Sequence, residues 1–231
     1  FDLSVNVIDR WRMNKIQQRV LEAAKIEQKL QEARLELALH QIKPHFLQNA
    51  LMSIKVLCRT RPKEAEQAVY DFAVFLRGNM NALESAEMIP FREECKTIER
   101  YLHIEKIRFG ERLQVQWDLQ EEKFRIPPLT IQPLVENAVC HGICQKMEGG
   151  TVQIRSFRKN GEICVQILDD GAGFDTEKLK DADGIAIRNL KLRLKEFLNA
   201  DLEIESRKGE GCRQTIHIPW EETDDENYSD R

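Results

Sequence analysis

Near Gly110 the rhythm of apolar residues changes, from recurrence every three or four positions to recurrence every second position. The first period belongs to helices and the second to half-buried strands. The chain is therefore expected to be α+β, with a helical N-terminal half and a C-terminal half that mixes strands and helices.

In the first half, Ile16, Ala23, Ile26, Leu30, Ala33 and Leu37 recur among Lys, Glu, Gln and Arg. This narrow seam predicts a helix that pairs with another as a coiled coil, because the wider apolar stripe of a core helix is missing. "RTRPKEAEQA" ends one helix near Pro62 and begins the next. Residues 64–84 read as a helix with Val69, Phe72, Ala73, Leu76 and Met80 along one side, and "ESAEMIP" interrupts it. A third helix is expected over 91–108, with Ile98, Leu102 and Ile104 inward. Beyond Gly110, "RLQVQWDL" alternates as a strand, and "PPLTIQPLVENAVCHGI" reads as a helix entered through prolines. "TVQIRSF" and "EICVQILDD" flank "RKNG", a hairpin turn. An amphipathic helix, "GIAIRNLKLRLKEFLNA", precedes two strands, "LEIES" and "CRQTIHIP". The tail "EETDDENYSDR" has no core-forming residues and is expected to be disordered.

With 231 residues the chain has room for one or two domains and a substantial core. A net charge of −4 argues against nucleic-acid binding, which favours clustered basic surface. No apolar run approaches the roughly 20 residues of a membrane span, and no signal-peptide pattern opens the chain. The sequence starts at Phe1 and reads as a fragment, with sensor or membrane segments expected upstream. Six cysteines are scattered without a CxxC pair, so zinc is not expected. Cys140, His141 and Cys144 on one helix make a poor site, and reduced thiols in a cytoplasmic protein are the simpler reading.

Four short stretches carry chemistry. "LDDGAGF" ends a strand in Asp169 and follows it with Gly171 and Gly173, so the backbone can turn tightly beside a ligand while the carboxylate accepts hydrogen bonds. "ENAVCHG" puts Asn137 and His141 four apart, on one helix face; the Asn oxygen suits Mg²⁺ and the His could meet a phosphate. "DGIAIRN" places Gly184 at a helix start, where free amides favour an anion. "GEG" holds Gly209 and Gly211 before the last strand.

In this order the stretches resemble the GHKL ATP-binding fold of histidine kinases, type II topoisomerases, heat-shock chaperone ATPases and mismatch-repair proteins. The resemblance covers about residues 113–220 and implies an α/β sandwich that binds ATP and Mg²⁺. It implies that Asn137 holds the metal and that Asp169 accepts from the adenine amino group. Gly171 and Gly173 would wall the adenine pocket, Gly184 would begin a lid, and Gly209 and Gly211 would form the last glycine box. His141 and Asn189 join the expected nucleotide-binding set. Two positions depart from the pattern, Ala186 at the second lid glycine and Cys212 where a Thr is usual, and both bear on nucleotide affinity. The Glu that activates water in hydrolysing members is replaced by Pro133, which leaves a pocket able to hold ATP without hydrolysing it.

The acceptor is sought in "HQIKPHFLQNALMSI". As a helix, this stretch gathers Leu47, Leu51, Ile54 and Cys58 on one stripe, with His45 about 150° away at about 100° per residue. His45 is thus expected to face water. Pro44 removes a donor and crowds the carbonyl of His40, so a loosened or kinked helix is expected just before His45. The stretch resembles the Q-I-x-P-H-F-L-x-N-x-L signature of LytS/YesM-type sensor histidine kinases. The likeness continues through "FREECKTIERYLHIEKIRFGERL" and "IPPLTIQPLVENAVCHG" and covers about residues 38–220.

That resemblance implies that His45 takes the phosphoryl group from ATP and passes it to an Asp of a response regulator receiver domain, within a homodimer. It divides the chain into a signalling coiled coil over 1–38, dimerisation and phosphotransfer helices over 39–112, the ATP-binding domain over 113–220 and the tail over 221–231. The implied location is the cytoplasmic portion of a bacterial inner-membrane receptor. Two readings stand for Asn49, one turn beyond His45: it orients a water or the acceptor, or it only bonds nearby backbone. Phe46 stands where many histidine kinases carry an acid, so no base is identified. A degenerate ATP-binding dimeric module without phosphotransfer remains the alternative.

Overall fold

The computed structural model describes residues 44–84, 87–175 and 185–220, together with the helical residues Lys15, Leu21, Glu22 and Lys25. The rest of the expected coiled coil, Gly184 and the acidic tail lie outside the described residues. The chain divides into two units, Phe1–Leu47 and Gln48–Arg231.

Helix α1 (Pro44–Thr60) and helix α2 (Pro62–Glu84) each open on a proline. Pro at a first helical position loses no intrahelical bond. Pro44 is the first described residue of α1, and the kink expected just before His45 lies outside the described residues. Arg61 alone separates the two helices; its N–H donates to Leu57 O at 2.7 Å. Strand β1 (Ile89–Pro90) leads into helix α3 (Phe91–Phe109), which stops at Gly110 with φ 58°. Ile98, Leu102 and Ile104 are buried as expected, and Ile107 packs against the cluster of Ile54, Leu57, Ala65 and Ala68.

The buried stripes of α1 and α2 differ from the expected ones. On α1 the buried residues are Phe46, Ala50, Ile54 and Leu57, whereas Leu51 is 56% exposed and Cys58 is exposed. On α2 they are Ala65, Ala68 and Phe75, with Asp71 and Asn79, whereas Val69 is 50% exposed and Met80 38%. Hydropathy missed the inward face of α2 because two of its members are polar with partners. Asp71 Oδ2 lies 2.6 Å from His103 Nδ1 on α3, and Asn79 Oδ1 accepts from Gln132 Nε2 at 2.9 Å. A buried polar group so paired costs little.

Strands β2 (Leu113–Leu119), β4 (Gly150–Lys159), β5 (Glu162–Asp169), β6 (Asp201–Arg207) and β7 (Gly211–Pro219) form one sheet in the order β2-β4-β5-β7-β6. β2 runs parallel to β4, and the other neighbours are antiparallel. β3 (Arg125–Ile126) pairs with β1. The "RKNG" hairpin is a two-residue turn on Asn160 (φ 53°) and Gly161 (φ 77°), the pair of positive φ values that a type I′ turn demands. One sheet face is apolar, with Val152, Ile154, Ile163, Val165, Ile167, Ile216 and Ile218 buried. Alternation places Cys164, Gln166, Thr215 and His217 on the other face.

The proline-entered helix is not uniform. It runs as α4 (Gln132–Asn137), widens into a π-helical turn at Ala138–Gly142 and tightens to a 3-10 turn at Ile143–Gln145. Helix α5 (Ile185–Leu198) buries Leu190 and Leu194.

Candidate nucleotide site and phosphoacceptor helix

Asp169 is the last residue of β5 and is buried. Its Oδ1 accepts the Gly171 N–H at 3.0 Å. Three glycines close around it. A methyl group added at Gly142 would stand 2.4 Å from Asp169 Oδ1, one at Gly171 would stand 2.3 Å from the Gly142 backbone, and one at Gly211 would stand 2.0 Å from Asp169 O. Gly173 is a fourth contact of this kind, since its methyl would stand 2.0 Å from Arg207 O. The Ala172 N–H donates to Gly142 O at 3.2 Å and ties the loop to the end of the π-helical turn. Gly209 is different: its φ is 87° and a Cβ there would meet nothing, so it serves the turn, and its N–H donates to Ala172 O at 2.7 Å. A cleft of about 470 Å³ is lined in part by Asp169, Ser206, Arg207, Gly211 and Cys212.

Burial pushes the Asp169 carboxyl up to about 6, with a smaller contribution from the neighbouring negative charge of Asp170; the Gly171 and Cys212 amides and Lys146 pull the other way. Burial, helped by the Asp169 charge, pushes the Cys212 thiol up to about 12. The missing side chains let these loops close on neighbouring backbone and fix the Asp169 carboxyl at the wall of the cleft, where it can accept hydrogen bonds from a donor-bearing ring.

Asn137 closes α4, half-buried, and His141 lies exposed in the π-helical turn. Bulges of this kind concentrate at functional sites, where they redirect side chains. Glu136 accepts from Gln132 Nε2 at 2.9 Å. Asn189 is exposed on α5, whose first residue follows Gly184 directly. His45 is exposed in the first turn of α1, as expected, and Asn49 is half-buried one turn later.

Residues without a motif support this site. Glu94 on α3 is buried, and its Oε1 accepts the N–H groups of Ile131 (2.5 Å) and Gln132 (3.1 Å), so it caps the start of α4 from another helix. Burial pushes its carboxyl up to about 7 against those amides and the Arg193 charge. Gln132 in turn joins Asn79 of α2 to Glu136, the residue before Asn137. In the sequence Glu94 is an ordinary acid in a helix's first turn; nothing local reveals that it serves a helix 37 residues away. Gly142 was legible only as the end of "ENAVCHG".

Two segments of the chain match known families. Residues 33–113 match the family model described as histidine kinase. Residues 128–222 match that of the histidine kinase-, DNA gyrase B-, and HSP90-like ATPase. The chain is 36% identical over 203 residues to YwpD of Bacillus subtilis (strain 168), covering 84% of this chain and 73% of that protein. It is 31% identical over 204 residues to the sensor protein LytS of Bacillus cereus, covering 82% of this chain and 34% of LytS. It is 32% identical over 195 residues to the sensor histidine kinase BtsS of Escherichia coli (strain K12), covering 83% of this chain and 34% of BtsS. The chain thus spans about a third of LytS and BtsS, and most of YwpD. The two matched segments and these relatives together show that the chain belongs to the sensor histidine kinases, the protein-histidine kinases of two-component systems.

Proposed function

We propose that this chain uses ATP to phosphorylate His45 and passes the phosphoryl group to an Asp of a response regulator receiver domain. The observation that carries the reading is the buried Asp169 carboxylate held among Gly142, Gly171 and Gly211, none of which has room for a Cβ. Such a cradle fits adenine: Asp169 would accept from its amino group, and Gly171 and Gly173 would let backbone approach the ring. The Asn137 carboxamide oxygen, a hard donor, suits Mg²⁺, which commonly takes one or two protein ligands and completes its shell with phosphate and water. His141, Gly184 and Asn189 would border the phosphates.

His45 is the nucleophile in this proposal. Its ring nitrogen forms a bond to the γ-phosphorus while the bridging bond to the β-phosphate oxygen breaks, and ADP leaves. Pro133 in place of an acid keeps the pocket from activating water, which leaves His45 as acceptor. Asn49 orients the acceptor or a water beside His45. The chain acts as a homodimer downstream of a sensor, on the cytoplasmic side of a membrane. Among the described residues no helix is long and apolar enough to cross one.

The test is incubation with γ-labelled ATP and Mg²⁺. Label stable in base and lost in acid is expected at no more than one phosphoryl group per chain. His45→Gln should abolish it, because the residue is exposed and its loss leaves the helix core intact. Acid-stable label, or undiminished label in the variant, overturns the assignment. Nucleotide binding without any label favours a degenerate module, the reading suggested by Ala186 and Cys212.

A further inference from the structure

The sheet face opposite the core brings together residues that no motif links. Cys164 on β5 and His217 on β7 are cross-strand partners, and Glu162 lies two residues before Cys164, on the same face. His217 Nδ1 is 3.0 Å from Glu162 Oε2 and 3.9 Å from Cys164 Sγ, and the three donor atoms all lie within 4.8 Å of one another. On the far side of the ring, Nε2 is 3.4 Å from Glu203 Oε2 on β6.

We propose that Glu162, Cys164 and His217 bind a borderline-soft divalent cation of the Zn²⁺ type, with Glu203 orienting the imidazole. Sulfur, nitrogen and oxygen donors at about 2.0–2.3 Å from a tetrahedral ion stand about 3.3–3.7 Å from one another, so the two contacts of His217 Nδ1, at 3.0 and 3.9 Å, need to change by only a few tenths of an ångström, and a rotation of the half-exposed Glu162 side chain brings its oxygen to the sulfur. The charges match, since one thiolate and one carboxylate neutralise a divalent ion. The ring chemistry also favours a cation. A neutral imidazole has one N–H, yet both nitrogens of His217 face carboxylate oxygens. An ion on Nδ1 leaves Nε2–H to donate to Glu203, the arrangement that typically supports metal-bound histidines. The fourth position opens to solvent through the half-exposed side chains of Glu162 and His217. The thiol is buried, and burial raises its pKa, with the Glu162 charge raising it further. Binding displaces the thiol proton to solvent.

This site is separate from the candidate nucleotide site. Glu162 and Asp169 stand at opposite ends of β5, about 23 Å apart at about 3.3 Å per residue. Its failure would leave the kinase reading untouched. The competing reading is a Glu162–His217–Glu203 ion-pair ladder over an inert thiol.

Cobalt distinguishes the two. The reduced, metal-free 231-residue chain is titrated with Co²⁺ and then Zn²⁺. The expected result is a thiolate-to-cobalt charge-transfer band that saturates at one ion per chain and is displaced by Zn²⁺. Cys164→Ser should abolish the band, and Glu203→Gln should weaken affinity about 10-fold or more. The Cys140→Ser/Cys144→Ser double variant should keep the band. If Cys164→Ser fails to fold, His217→Gln decides, with an expected loss of about 10-fold or more in affinity. Absence of the band at saturating cobalt, its survival in Cys164→Ser, its loss in the double variant, or unchanged affinity in His217→Gln overturns the site.

Discussion

Asp169 shows how one residue can make opposite demands of pH. Its folded-state pKa is raised to about 6 from 3.8, mainly by burial. For a raised acid, the stabilising contribution is fully present below the unfolded value and is lost as pH rises through the folded one. Acceptance from an adenine amino group needs the anion, which accumulates over the same interval. Nucleotide affinity should therefore fall as pH drops through about 6. Asp169→Asn removes the titrating group and presents donor hydrogens where an acceptor is wanted. Its ADP affinity should be about 10-fold or more weaker at neutral pH, a loss of about 1.4 kcal/mol, and flat across the acid range. Calorimetric titration at several pH values checks both. Parental affinity in the variant would contradict Asp169 as the adenine acceptor.

At the scale of elements, the loop after β5 and the turn before β7 hold glycines that do different work. Gly171 needs the absence of a side chain, because its Cβ would stand 2.3 Å from the Gly142 backbone. Gly209 needs only its positive φ of 87°, with open space around it. Gly171→Ala should cost about 1–3 kcal/mol or more through overpacking. Gly209→Ala should cost about 1 kcal/mol through left-handed strain. Urea denaturation measures the difference; equal costs would mean that the loop yields easily and that Asp169 is not tightly caged. The same contacts account for the irregular helix after α4. Its π-helical turn brings Gly142 against Asp169, which a residue with a side chain at that position could not do.

For the whole molecule, the exposed apolar residues of the helical half matter most. Leu51, Met52 and Val56 on α1 and Val69, Tyr70 and Met80 on α2 are all at least 38% exposed in the single chain. Fully covering a large aliphatic side chain stabilises by about 1.5–3 kcal/mol, so these two faces favour a second copy packed as a four-helix bundle. Sedimentation should show a dimer, and Leu51→Glu with Val69→Glu should weaken it about 100-fold or more while each chain remains folded. A parent that sediments as a concentration-independent monomer would contradict the bundle.

Local spacing determined a good deal by itself. Proline set the helix start at Pro62, Asn160–Gly161 set the hairpin, and the glycines after Asp169 marked a tight backbone turn. Each of these follows from backbone restrictions within a few residues, which the sequence states directly. Tertiary packing decided the rest. It chose which stripe of α2 turns inward, since Asp71 and Asn79 become acceptable there only once His103 and Gln132 stand opposite. It made Glu94 the cap of a helix 37 residues away. It set β2 parallel to β4, and it brought Cys164 to His217 across 53 residues. Those pairings depend on strand register and helix packing over the whole domain, and a one-residue slip of β7 would turn His217 to the opposite face and take it away from Cys164.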